Sequence, residues 1–482
     1  MRHDGGVSAS DSPAGSPTTG PDVSAIDRLV ADYAAEHHCP SIAWGVTQHG
    51  SLAATGSTGE VNGRVPDEQT VYRIASMTKS FSAAVTLLLR DEGALRLDAP
   101  IGEYAPELAE VRSPTSDAPA VTVRDLLCMS SGLVNDDPWA DRHLDLTDDE
   151  FDRVIADGLV FAHPTGACHE YSNFGFALLG RVVHRATGVR LRDHVTERLL
   201  EPLGMTRTTW DQPDHDDWAR PMRWDDDWSE EIPTPPDGMI APMGGIWTTV
   251  ADLAVWASWL ADAFPARDDP DPGPLSRASR REMQTAQRYA GQRTVRDVRF
   301  PTSYGYGLRV LDEPDRGTVI THSGGLPGYG SSMRWTPGGS IGVVALSNVT
   351  YAPMTVLCAL IHDLVAEQGD VDEGDHAASP DLAAIGDRLV DTLGRWAAGE
   401  TVDPGELDSL FADNVFPDDD VDRRATRARD HGPLSVDTWH ATSDAAATAT
   451  CTGTGGRHTI TFSLAPNRPL RIQDYEVGRA AD

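Results

Sequence analysis

Apolar residues recur at helical spacing over residues 22–38, where Ile26, Leu29, Val30 and Tyr33 form one stripe and Pro40 marks the end. The pattern then shortens. Residues 41–47 and 52–57 read as two strands joined by His49-Gly50, a hairpin signal. After Ser76 the helical period returns in Phe81, Val85, Leu88 and Leu89, with Gly93 as the stop. Further helices are expected over 123–129, 174–187, 191–200 and 248–260, the last capped by Thr249. Gly175 and Gly180 inside the apolar run 174–187 suggest close packing. Residues 211–242 are rich in Asp, Pro and Trp and read as a long loop of the kind that borders sites. The Pro/Asp-rich stretch 261–276 reads as an insertion. Strands follow over 307–311, 318–322, 331–336 and 340–347, the last two joined by Pro337-Gly338-Gly339, and a helix over 354–368 packs back.

The pattern then breaks. Residues 367–380 are acidic and carry Gly and Ser, which predicts a linker. Beyond it, a helix over 382–398 precedes short alternating stretches at 434–439, 446–451, 458–463 and 470–477. Residues 381–482 therefore read as a small α+β accessory domain of ordinary size. Residues 1–21 are rich in Gly, Ser, Pro and Thr with no apolar run. They predict a disordered tail rather than a secretory leader. No stretch has transmembrane length. The expectation is a cytoplasmic protein with no membrane partner.

Composition narrows the function classes. The 482 residues carry 74 Asp plus Glu against 40 Lys plus Arg, a formal net charge of −34, which disfavours nucleic acid as a partner. The five cysteines (Cys39, Cys128, Cys168, Cys358, Cys451) are scattered without paired spacing, so neither a disulfide framework nor a zinc site is implied.

One residue changes the picture more than any average. Lys79 is the only lysine in the chain. Arginine replaces lysine wherever only charge is wanted, but it cannot lose its proton. A lone lysine three residues after Ser76, on the same face of a helix, points to an amine used as a base. A serine hydroxyl needs such a neighbour to become a nucleophile, and burial lowers a lysine pKa into the working range. The helix start adds positive potential where negative charge would develop.

Two other motifs follow in order. Tyr171-Ser172-Asn173 comes after a turn at residues 163–166, and His322-Ser323-Gly324-Gly325 ends an expected strand. Taken alone, each has an ordinary reading: a half-buried tyrosine, a structural histidine, turn glycines. Together with Ser76-Met77-Thr78-Lys79, their order and spacing resemble the serine β-lactamase and penicillin-binding-protein superfamily, in its class C β-lactamase-like branch. Supporting stretches are residues 125–133, 201–206, 244–249, Tyr304-Gly305-Tyr306-Gly307 and Leu346-Ser347-Asn348. The resemblance spans about residues 25–365. It implies an α+β (or α/β) domain over 22–366, an antiparallel sheet flanked by helices with a mostly helical subdomain, and Ser76 at their junction.

The resemblance also implies roles. Ser76 would be the acylated nucleophile, Lys79 its base, and Tyr171 a phenol that relays protons, its pKa lowered by neighbouring cations. Asn173 would bond substrate or Lys79. His322, Ser323 and Gly324 would meet substrate, and the backbone N–H groups of Ser76 and Gly325 would form the oxyanion hole. In β-lactamases the third motif usually begins with Lys; here His322, mostly neutral above its pKa, stands in that place. That departure is similar to esterase, D-aminopeptidase and D-amino-acid amidase members. The expectation is a serine hydrolase acting on a small ester or amide, with no metal and no organic cofactor. The alternatives are a β-lactamase or D,D-carboxypeptidase, or a non-catalytic scaffold that kept the fold. The accessory domain is a candidate for homodimer formation or for covering the cleft.

Overall fold

The computed structural model of the chain describes residues 20–480, apart from 112–114, 226–227, 296–297, 315, 369–377, 418 and 437. The expected tail (1–21) and linker (367–380) fall largely outside the described residues. The chain divides into two compact units, Met1–Val371 and Asp372–Asp482.

The first unit is organised on one eight-stranded antiparallel sheet. Its strands are β1 (Ser41–Gln48), β2 (Ser51–Gly59), β3 (Arg288–Val295), β4 (Val298–Tyr304), β5 (Arg309–Glu313), β6 (Gly317–Leu326), β7 (Tyr329–Trp335) and β8 (Gly342–Ser347). Their spatial order is β2-β1-β8-β7-β6-β5-β4-β3. The N-terminal hairpin thus pairs with the last strand, Ile42 opposite Ser347 and Val46 opposite Val343. The β1–β2 turn is made by His49 and Gly50, both at positive φ (49° and 79°), the geometry a two-residue hairpin turn requires.

Both faces of the sheet are covered, which the side-chain alternation of β1 makes plain. Ile42, Trp44 and Val46 pack with the helices Val23–Glu36 and Met354–Gln368. Ala43, on the opposite face, belongs to the main core with Phe81, Val85, Leu253 and Trp256. That core includes the helix Thr78–Asp91, whose residues Thr78 through Leu89 are all buried. A helix buried on every side is fixed by packing on all faces, so its first turn is held rigidly. A helical region carrying Val123–Leu127, Asp148–Asp157 and Asn173–Thr187 lies on the same side of the chain's core. This is the α+β arrangement expected.

The structure differs from the expectation in particular places. Residues 211–242 are not all loop: Met222–Asp225 and Trp228–Glu231 form a short antiparallel hairpin. Two sheet strands, β3 and β4, and the helix Arg277–Met283 are not marked by the pattern. β3 is an edge strand, its register shifts between Tyr289 and Gln292, and its sequence is polar. Such a strand shows no alternation to read. Of the two glycines expected to permit close packing, Gly180 does so, since an added Cβ would stand 2.6 Å from Pro242 Cγ. Gly175 does not: its nearest neighbour would be at 3.8 Å.

The second unit contains the helix Pro380–Ala397, two helices the pattern missed (Pro404–Leu410 and Val421–His431), and a five-stranded antiparallel sheet. Its own core holds Leu389, Trp396, Phe411, Ile460 and Ile472. The Val421–His431 helix buries only Ala428, which explains its weak sequence signal.

Candidate active site

Ser76 sits in a short 3-10 turn, Ala75–Met77, that runs directly into the buried helix Thr78–Asp91. Ala75, just before it, adopts φ of 50°, a left-handed conformation unusual for a residue with a Cβ. Such strain persists only where the surroundings over-determine it. Here they do: the backbone N–H of Ile74 donates to Ile246 O at 3.0 Å, and Ser331 Oγ donates to Ile74 O at 2.8 Å. β6 presses against the same turn through Gly324. A Cβ at Gly324 would lie 2.1 Å from Ile74 O and 2.9 Å from Ala75 Cβ. Glycine there is a steric requirement.

Lys79 lies one turn along the helix and is fully buried. Its Nζ stands 2.9 Å from Ser76 Oγ, 2.7 Å from Asn173 Oδ1 and 3.0 Å from Met243 O. Three acceptors match the three protons of an ammonium. A neutral amine would keep its bonds to the amide and carbonyl oxygens and turn its lone pair to the Ser76 hydroxyl. Burial lowers the Lys79 pKa to about 7, with Arg309 adding to the effect and Asp137, Asp141 and Asp136 opposing it. An amine poised there can exchange a proton at neutral pH.

Asn173 is fixed from behind. Its Nδ2 donates to Asp137 Oδ1 at 2.7 Å, while the backbone N–H groups of Asn173 and Phe174 donate to the two oxygens of Asp136 at 2.7 and 2.9 Å. Asp136 therefore caps the helix Asn173–Thr187 together with Ser172, whose Oγ accepts from Gly175 N. Met129 holds the adjoining segment, its carbonyl accepting from Glu170 N at 2.8 Å.

Tyr171 places its ring 4.9 Å from Lys79 Nζ and lines the same cavity as Ser76. The expected lowering of its pKa does not occur. Burial, with Tyr304 and Asp137 adding to it, pushes the phenol well above its ordinary value, and the nearby Ser76 and Arg309 offset this only in part. Tyr171 is a neutral O–H donor here, and the group poised to accept a proton is Lys79.

His322 is buried, and both its nitrogens are engaged. Nδ1 lies 2.8 Å from Ser323 O and Nε2 lies 3.0 Å from the Tyr304 hydroxyl. A nitrogen facing a carbonyl oxygen must carry the proton, so Nδ1 donates and Nε2 accepts from Tyr304. Burial and the charges of Arg309 and Lys79 hold the pKa well below its ordinary value. The ring is neutral and supplies no cation.

Ser76, Tyr171, His322, Ser323 and Gly325 line one cavity of about 330 Å³. Lys79 and Asn173 lie beneath its floor, bonded to it through Ser76. Gly324 does not line it; the contribution visible for Gly324 is the close approach of β6. The cavity also exposes residues the sequence reading did not single out: Asp137, Asp141, Arg309 and Tyr351. Asp141 Oδ2 accepts from Tyr351 OH at 2.9 Å, and burial raises its pKa to about 7. Arg309 stacks 5.6 Å from the Tyr171 ring centroid and 5.7 Å from that of Tyr304, with no carboxylate partner among the described residues. Its signal was available: it lies two residues past Tyr-Gly-Tyr-Gly and pairs across the sheet with Thr321, beside His322. Asp137 and Asp141 sit in a segment with no periodic or motif signal.

The β-lactamase family model matches residues 26–366. The chain belongs to the β-lactamase family. Within that family it is 27% identical to D-alanyl-D-alanine-carboxypeptidase/endopeptidase AmpH of Escherichia coli strain K12, over 65% of this chain and 80% of that protein. It is 29% identical to esterase EstB of Burkholderia gladioli, over 64% and 86%. An octameric penicillin-binding protein homologue from Pyrococcus abyssi superposes with a TM-score of 0.62 at 20% identity, over 95% of this chain and 99% of that one. A class C β-lactamase superposes at 0.56 and 19% identity, over 70% and 96%. These two share the fold of this β-lactamase-family chain. Among its described residues, no helix is long and apolar enough to cross a membrane.

Proposed function

We propose that this protein is a serine hydrolase that cleaves a small ester or amide through an acyl-enzyme on Ser76. The observation that carries the reading is the 2.9 Å contact between Ser76 Oγ and Lys79 Nζ, the amine of the chain's one lysine, buried and poised near pH 7. In the first step neutral Lys79 accepts the Ser76 proton as Oγ attacks the substrate carbonyl carbon. The oxyanion that forms is held by the backbone N–H groups of Ser76 and Gly325. As the bond to the leaving group breaks, Tyr171 donates its phenolic proton to that group and is reprotonated from Lys79. In the second step water loses a proton to the same pair and attacks the acyl carbon, and Ser76 regains its proton as it leaves. Asn173 holds Lys79 in place throughout. Ser323 and Gly325 meet the substrate from the β6 side, and His322 fixes Tyr304 there.

The experiment is labelling of the folded protein by a fluorophosphonate, followed by mass spectrometry. An adduct on Ser76 is expected. Absence of an adduct, with Ser76→Ala retaining the cellular role, would leave the non-catalytic scaffold as the reading.

A β-lactamase or D,D-carboxypeptidase activity is the second reading, and Arg309 favours it. Substrates of that kind carry a carboxylate, and Arg309 offers a guanidinium without a carboxylate partner among the described residues in the cavity wall, where His322 offers no charge. Turnover of nitrocefin comparable to that of a small neutral ester would select it. Residues 381–482 are proposed as an accessory domain that supports homodimer formation; light scattering on a chain ending at Glu367 tests this. A cytoplasmic location is proposed with it.

A further inference from the structure

A second cavity, of about 250 Å³, lies between the outer half of the sheet and the helix Met354–Gln368. It shares no lining residue with the cavity at Ser76. Its walls are apolar at Phe300, Leu311 and Leu360, and Val356, 48% exposed, stands at the rim. Phe300 and Leu311 with Val319 form a small buried cluster of their own, separate from the main core.

Among the described residues, the charges lining this cavity do not balance. Arg334 is held by Glu313 in a two-bond pair at 2.9 and 2.6 Å, and Arg316 pairs with Asp363 at 2.7 Å. Arg293, on the edge strand β3, is the third guanidinium, and it has no ion-pair partner among the described residues. Its burial and the neighbouring charges of Arg309 and Arg334 push its pKa down, and Glu313, which opposes them, is already committed to Arg334. A half-buried cation facing other cations without its own counter-charge is unfavourable. An anion beside it would remove that penalty and gain charge-assisted, two-pronged hydrogen bonds.

We propose that this cavity is a binding site for a small organic monocarboxylate, its carboxylate on Arg293 and its apolar body against Phe300, Leu311 and Leu360. One uncompensated guanidinium matches one negative charge. A phosphate dianion would bring a second charge against Glu313 and Asp363. The volume holds about eight waters' worth of space, the size of a six-carbon acid. The site is open at its rim, so a ligand can enter without rearrangement of the sheet.

Isothermal titration of the full chain with hexanoate tests this, with hexylammonium and inorganic phosphate as controls. Saturable binding of hexanoate alone is expected. Arg293→Gln, and independently Val356→Trp at the rim, should each weaken it at least about tenfold. Arg142→Glu, a charge reversal in the Ser76 cavity, should leave it unchanged, and melting temperatures close to that of the parent chain show that the variants fold. Absence of saturable heat at millimolar hexanoate overturns the proposal. So does binding indifferent to Arg293→Gln, binding lost in Arg142→Glu, or phosphate binding as tightly as hexanoate.

Discussion

The amine of Lys79 and the hydroxyl of Ser76 are 2.9 Å apart and three residues apart in sequence, the hydroxyl facing the cavity and the amine fully buried beneath it. Removing either should stop acylation. Ser76→Ala and Lys79→Arg are both expected to lower kcat/KM for any substrate turned over by at least about a thousandfold. The arginine variant is the sharper of the two. It keeps the charge and abolishes the proton acceptor, so retention of activity would remove Lys79 from the role of base.

The pH profile should report the same group. Lys79 must be neutral to accept a proton, and its pKa is about 7, so kcat/KM should rise with pH through about 7. Asp141 titrates in the same range and its charge raises the Lys79 pKa, so the apparent value belongs to the pair. Asp141→Asn should therefore move the rising limb to lower pH. A limb unmoved, or moved upward, would disconnect Asp141 from Lys79.

Stability should carry the converse signature. The folded pKa of Lys79 lies below its unfolded value. Above the unfolded pKa the amine is neutral in both states and the burial penalty is absent. The penalty grows as pH falls from about 10.5 to about 7 and is complete below that. Lys79→Met should gain stability relative to the parent chain over that fall, by on the order of a few kcal/mol. Denaturant unfolding of both proteins at several pH values measures the difference; a gap independent of pH would contradict it.

Gly324 should tolerate no side chain. Gly324→Ala would set a methyl 2.1 Å from the Ile74 carbonyl, and backbone cannot yield as a flexible side chain does. A loss of about 2–3 kcal/mol in unfolding free energy is expected, with loss of Ser76 labelling as the strained turn shifts.

Arg309 separates the two substrate readings. Arg309→Gln should raise KM about tenfold for a substrate bearing a carboxylate, and leave a neutral ester nearly unchanged. Equal effects on both would instead assign Arg309 to the support of Tyr171, over whose ring it lies.

Much of this was legible in the chain, for identifiable reasons. The helix 354–368 and the hairpin at His49-Gly50 are set by local periodicity and turn chemistry, and both stand as read. Lys79, and Ser76 three residues before it, stand out in the sequence because a chain with a single lysine makes that residue conspicuous, whereas Tyr171 and Asn173 are named only through the family resemblance. What escaped was written in tertiary terms. β3 is a polar edge strand, and β4 beside it is interrupted by Pro301 and shows no sustained alternation. Asp136 and Asp137 act by capping and propping a helix about 40 residues further on, with no local pattern. The Tyr171 pKa was misjudged because cations can be counted in a sequence, but burial cannot.

The pairing of β1 with β8 bears on how the chain is made. Ile42 meets Ser347, about 300 residues later, and β1 has no partner on that side until the ribosome has released that stretch. Contacts so distant in sequence slow folding, and an unpaired apolar edge invites association with other chains. The hairpin must wait, exposed, for most of synthesis, so chaperone dependence and poor yield at high expression temperature are the expected behaviour of a nascent chain built this way.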